Sequence, residues 1–163
     1  MLIGEQPGDR EDLAGRPFVG PSGRLLDAAL EAAGLERSSI YVTNAVKHFK
    51  WEPSRKLRLH KKPSASEIEA CKPWLELEIA LVKPRVVLAL GATAAQVLMG
   101  RDFHVLSSRG WKFAVPWADA FMATVHPSSV LRARPADRAR DEAAFMRDVS
   151  RAAALVGSPA SAT

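Results

Sequence analysis

"RVVLALGATAA", residues 85–95, sets five consecutive apolar residues behind one arginine, then a glycine, then small helix formers. An apolar run without alternation is how a strand buried on both faces reads, and such strands belong to parallel sheets covered by helices. A short helix over "ATAAQVLMG", residues 92–100, follows the turn at Gly91.

The same alternation extends both ways. "MLIG" is a very short apolar run leading into a Gly/Pro loop, and "SIYVTNAV", residues 39–46, is a β-branched strand. Leu25, Leu26, Ala29, Leu30 and Ala33 recur at helical spacing, with Gly34 as the stop. Ser64 and Glu67 form a capping box for a helix with an apolar face of Ile68, Cys71, Leu75, Ile79 and Val82; Pro73 kinks it or marks its true first turn. "FMATV", residues 121–125, is another strand. Residues 136–156 form a last amphipathic helix on Ala143, Met146, Val149, Ala153 and Val156. We therefore expect an α/β protein: three layers, α/β/α, around a central parallel four-stranded sheet. Residues 1–156 form one domain, and "GSPASAT", residues 157–163, reads as a disordered tail.

In such sheets ligands bind at the carboxyl ends of the strands. Those ends carry "GEQPGD" (residues 4–9), Asn44, Gly91 and "HPSS" (residues 126–129). Glu5 is placed to act as a base or to orient an imidazole, with Gln6 and Asp9 in the same loop. The loop lacks the Gly-Lys-Ser/Thr ending of a Walker A and the third glycine of a dinucleotide fingerprint. Phe18, between two Gly/Pro turns, reads as a stacking platform for a base or as a plug in the core. Asn44 donates and accepts together, which suits an amide-like base edge. His126 is a hydrogen-bond donor to an anionic base or a histidine satisfied by the core.

The net charge is +5, and between Lys47 and Lys62 seven cations face one anion, Glu52. That excess is the footprint of a polyanion such as nucleic acid. Within it "RKLRLHKKPS", residues 55–64, reads as a basic loop around His60. An imidazole among cations resists protonation, and the neutral ring keeps a nucleophilic lone pair; the plainer reading is a solvated basic loop. No apolar run is long enough to cross a bilayer, and no secretory n- and h-regions open the chain. Cys71 excludes an internal disulfide, and His48, His60, His104 and His126 offer no short metal-ligand pair.

"GEQPGD", "GRPFVGPSGRLLD", "YVTNAVKHFK", "ACKPWL", "LGATAA" and "HPSS" occur in an order and spacing that resemble the uracil-DNA glycosylase superfamily, family-4-like, from Leu2 to about Val156. The first loop and the basic stretch resemble its X type (UdgX), whose signature KRRIH stands here as Lys56-Leu57-Arg58-Leu59-His60. The resemblance implies a bacterial, cytoplasmic, nucleoid-associated monomer that flips uracil from DNA, single strands included, and breaks its N-glycosidic bond. It implies that Phe18 stacks on uracil, Asn44 reads its edge, and Gln6 and Asp9 line the pocket. His126 would stabilise the uracil anion, and Glu5 would support the cationic sugar and position His60. His60 would then bond covalently to the abasic sugar. Lys56, Arg58, Lys61, Ser128 and Ser129 would hold the DNA backbone. The same residues fit two other functions: ordinary hydrolysis with His60 as a bystander, and a non-catalytic module that binds uracil or abasic DNA. The family carries a 4Fe–4S cluster on four cysteines; Cys71 matches one of those positions, and one thiolate cannot hold it. The start inside the first strand suggests a missing N-terminal segment.

Overall fold

The computed structural model describes residues 1–55 and 57–157. Lys56 and the tail from residue 158 lie outside the described residues. In chain order the elements are β1 (Leu2–Gly4), α1 (Asp9–Ala14), α2 (Pro21–Ala32), β2 (Val42–Asn44), β3 (Trp51–Ser54), β4 (Leu57–His60), α3 (Ala65–Val82), β5 (Val86–Leu90), α4 (Ala92–Met99), α5 (Val105–Ser108), β6 (Phe113–Val115), β7 (Ala118–Thr124), α6 (Pro127–Leu131) and α7 (Pro135–Gly157).

The central sheet has five strands in the order β2-β1-β5-β7-β6. The expected four are parallel to one another, and β6 adds an antiparallel edge strand against β7. Sequence reading missed β6 because "FAV" is short and only partly buried.

β5 is buried along its whole length, as its unbroken apolar run requires. Strand alternation divides its side chains between two cores. Val86, Leu88 and Leu90 join Ala120 and Met122 of β7 and the faces of α2 and α7. Val87 and Ala89 join Phe121 and Ala123 of β7, with Leu75 and Ile79 of α3 and Ala94 and Ala95 of α4. Helices therefore cover both faces of the sheet, which completes three layers. Fully buried Phe121 and Phe145 each stabilise the fold by roughly 1.5–3 kcal/mol.

Four expectations need correction. The basic loop is an antiparallel hairpin, β3–β4, in which Trp51 pairs with His60 and Ser54 with Leu57. Of the two readings of Pro73, the first-turn one falls: Pro73 lies in the middle of α3, and the helix starts at Ala65 behind the complete Ser64–Glu67 capping box. On α7 the buried residues are Phe145, Asp148, Val149 and Ala152, whereas Ala143 and Val156 are exposed. α7 also runs through Gly157, one residue into the stretch expected as tail.

Candidate active site

The carboxyl ends of β1, β2, β5 and β7 surround a cavity of about 580 Å³, within the usual size range for a small-molecule site. Glu5, Gln6, Phe18, Asn44, His60 and His126 all line it. A groove of about 630 Å³ between α3, α4 and the β6–β7 turn is larger. It lies at the opposite ends of β5 and β7 and has no histidine in its wall.

Glu5 leaves β1 partly buried, and its carboxylate accepts a hydrogen bond from the Thr93 hydroxyl at the start of α4. Its other oxygen lies 3.6 Å from His60 Nε2 at the end of β4. Thr93 is 4% exposed, so it positions this carboxylate rather than meeting solvent.

His126 caps α6. Its Nδ1 accepts from the Ser128 N–H at 3.2 Å and lies 2.8 Å from Ser128 Oγ. In the neutral ring the proton therefore sits on Nε2, the nitrogen left for the pocket. Burial lowers the His126 pKa to about 4; Glu5 opposes the shift, while Arg132 and His60 reinforce it. His126 is thus a neutral donor at physiological pH. Gly91, at φ 98°, keeps it in place, because a Cβ there would stand 3.1 Å from His126 Cβ.

Phe18 stacks beside His126 with ring centroids 5.7 Å apart. Its φ of 56° is unusual for a bulky residue. The turn depends on Gly23, whose Cβ would fall 1.8 Å from the Phe18 carbonyl oxygen. Gly4 leaves the gap between Phe18 and Asn44 open: a Cβ there would lie 2.4 Å from Asn44 Oδ1 and 2.7 Å from the Phe18 ring.

Gln6 lines the pocket, but its amide is engaged elsewhere. Nε2 donates to the carbonyls of Lys50 (3.3 Å) and Lys61 (3.0 Å), and Oε1 accepts from the Lys50 N–H (3.3 Å). Gln6 thereby staples both strands at the base of the hairpin. Asp9 is not in the pocket wall. It and Asp12 grip Arg58, whose guanidinium also lies over the rings of Phe49 and Trp51.

The basic stretch is largely matched by acids. Lys47 pairs with Glu78, Lys50 with Glu67, and Lys61 with Glu52. Arg58 and Lys61, two of the expected backbone contacts, are therefore already partnered. Ser129 Oγ donates to the His126 carbonyl, and Lys62 and Arg132 bring positive charge to the pocket rim. Thr93, Glu11 and Arg132 were not read from sequence, and Lys62 was read only as one cation of the basic stretch. Glu11 accepts from the Gly20 N–H at 2.8 Å and so tethers the Phe18 loop; Glu/Gly pairs this far apart leave no local signature.

Cys71 lies buried on α3 with Sγ 3.8 Å from His48 Nδ1, away from the pocket wall. Among the described residues no group of three or more His, Cys, Asp or Glu gathers to hold a metal. One thiolate and one imidazole do not fit a four-thiolate iron–sulfur cluster. Among the described residues, no helix is long and apolar enough to cross a membrane.

The family model described as the Uracil DNA glycosylase superfamily matches residues 1–150. The chain is 36% identical over 157 residues to a Type-4 uracil-DNA glycosylase of Pyrobaculum aerophilum, covering 92% of this chain and 74% of that protein. It is 35% identical to the Type-4 uracil-DNA glycosylase of Sulfurisphaera tokodaii over 80% of this chain, and spans 60% of that protein's length. A Type-5 uracil-DNA glycosylase of Thermus thermophilus is 30% identical over 78% of this chain and 64% of its own length.

Proposed function

The chain belongs to the uracil DNA glycosylase superfamily, and on that premise we propose that it excises uracil from DNA by breaking the N-glycosidic bond. The observation that carries this reading is the convergence of three groups on one cavity: the Nε2–H of a neutral His126, the Thr93-anchored carboxylate of Glu5, and the Asn44 amide opposite Phe18. A flipped uracil stacks on Phe18 and presents its amide edge to Asn44. As the bond from the sugar C1′ to the base breaks, its electron pair leaves with uracil. His126 Nε2–H donates to the oxygen where that charge gathers. The Glu5 carboxylate faces the electron-poor sugar carbon.

His60 supplies the finer part of the proposal. Its ring stands in the pocket wall beside Glu5. A ring nitrogen lone pair bonds to C1′ in place of water, and the ring then loses its N–H proton to Glu5 or solvent. The result is a protein–DNA adduct. Simple hydrolysis is the second reading, favoured by the Type-4 and Type-5 names of the relatives. In that reading water provides the electron pair.

The test is an oligonucleotide with a single uracil. Free uracil or an abasic strand is expected, and binding with neither product would leave a non-catalytic module. Asn44→Asp should lower uracil excision by the value of one good base contact, on the order of 1–3 kcal/mol, and admit cytosine. Unchanged rates on both bases would remove Asn44 from recognition.

A further inference from the structure

Asp148 is the one charged residue among the described residues that is buried, at 5% exposure. It stands on α7 among Phe145, Val149 and Ala152, which that helix packs into the core. Its Oδ2 accepts from Arg109 Nε at 2.8 Å and from the Thr124 hydroxyl at 2.6 Å, and a terminal nitrogen of Arg109 lies 2.7 Å away. A buried ion pair is a weak source of stability. Desolvation offsets its attraction, and apolar residues of similar volume serve a core as well or better. The reason for this cluster therefore lies in what it holds.

It holds the carboxyl end of β7. Thr124 is the last residue of that strand, and His126 follows two residues later. The Thr124 carbonyl accepts from the Gly91 N–H at 2.8 Å, and the Ala123 carbonyl accepts from the Gly110 N–H at 3.0 Å. Gly110 has φ 73°, and a Cβ there would stand 2.7 Å from Asp148 Oδ1, so the approach of this segment depends on glycine. The backbone bonds fix where the strand ends. Side chains stand roughly perpendicular to a sheet, so the bond from the Thr124 hydroxyl to α7 fixes how its last residue is turned. Neither Thr124, Asp148 nor Arg109 lines the cavity. We propose that these three residues position His126: they set the orientation of the β7 terminus and so aim the imidazole Nε2 at the departing base. The inference rests on the glycosylase reading above.

Asp148→Ala is a poor probe, because it leaves Arg109 as an unpaired charge in a nearly closed site and threatens the fold. Thr124→Val keeps a β-branched strand residue and removes the hydroxyl. The experiment measures uracil release in single turnover, with protein in excess over a single-uracil oligonucleotide, a readout that hydrolysis and adduct formation share. Thr124→Val should lower the maximal rate about tenfold, less than the ~100-fold of an ångström-scale misplacement. The protein concentration at half-maximal rate should hardly change. Thr124→Ser, which restores the hydroxyl, should recover most of the rate. In the His126→Asn background Thr124→Val should have almost no further effect, because the group it positions is gone. Equal fold losses in both backgrounds would make the cluster a structural support and overturn the proposal, as would a wild-type rate in Thr124→Val. Long-range ¹H–¹⁵N spectra of the imidazoles read the same device without DNA. Wild-type His126 should carry its proton on Nε2 alone, and Thr124→Val should move a share of it to Nδ1. A ring spectrum that Thr124→Val leaves unchanged overturns the positioning role even in a chain that releases no uracil. A chain that releases no uracil but whose ring responds to Thr124→Val fails the glycosylase reading and keeps the positioning one.

Discussion

His126→Asn is expected to lower kcat for uracil excision by about 10²–10³-fold with little change in KM. Removing one preorganised donor to a developing anion has an effect of that size. The bond strengthens only as charge reaches the departing base, so substrate binding should barely register it. The pH dependence follows from the same geometry. Burial holds the His126 pKa near 4, below the ordinary histidine value of 6.5. Its depressed pKa favours the neutral ring in the folded state. The associated stability is therefore complete above pH 6.5 and is lost as pH falls from 6.5 toward 4. The contribution of His126 to excision should stay level from pH 8 to about 5 and decline near 4. Thermal melts across this window should show a steeper acid loss for the wild type than for His126→Asn. An acid limb in kcat centred at 6.5 that disappears in His126→Asn would show that the ring is not held neutral.

The second large effect concerns His60. Mixed with single-uracil DNA, the wild type should give a species that survives boiling in detergent and migrates as protein plus DNA. His60→Ser should abolish that species and preserve or raise free abasic product, because water enters beside Glu5. Glu5→Ala should depress both outcomes if the carboxylate has its proposed role at the cationic sugar, which precedes the arrival of either electron pair. Added salt should lower the adduct yield by weakening DNA binding. Excision by the wild type with no detergent-stable species at low salt would falsify the covalent step and leave hydrolysis standing.

The fold was legible wherever local pattern and tertiary role coincide. Val86–Leu90 has no polar residue to divide its faces and can only be a strand covered on both sides. Ser64 and Glu67 cap a helix within four residues of sequence, with no distant partner required. The α7 face was misread because apolar spacing favoured Ala143 and Val156. Asp148 is buried instead, held by the Thr124 hydroxyl at 2.6 Å and by Arg109. Those partners come from β7 and the segment before β6, which periodicity within a helix cannot reveal. The hairpin was hidden by its composition. Cations are poor strand signals, and the acids that match them, Asp9, Asp12 and Glu67, come from other elements. Strand-end position identified Glu5, Asn44 and His126 as candidates. It did not reveal that Gln6 faces the hairpin backbone or that Asp9 turns to Arg58.

The Gln6 staple gives the hairpin a pivot. β4 is four residues long, about 13 Å at the usual strand rise. Its fixed end is where Gln6 ties Lys50 to Lys61, and His60 is the residue next to that end. Leu57 is at the far end, beside the turn of the hairpin. In any rocking of the hairpin, displacement grows with distance from the pivot. Asp9 and Asp12 oppose that displacement at Arg58, one residue from Leu57. Both ends of β4 are thereby tied to the body of the protein, which holds His60 at its 3.6 Å separation from Glu5.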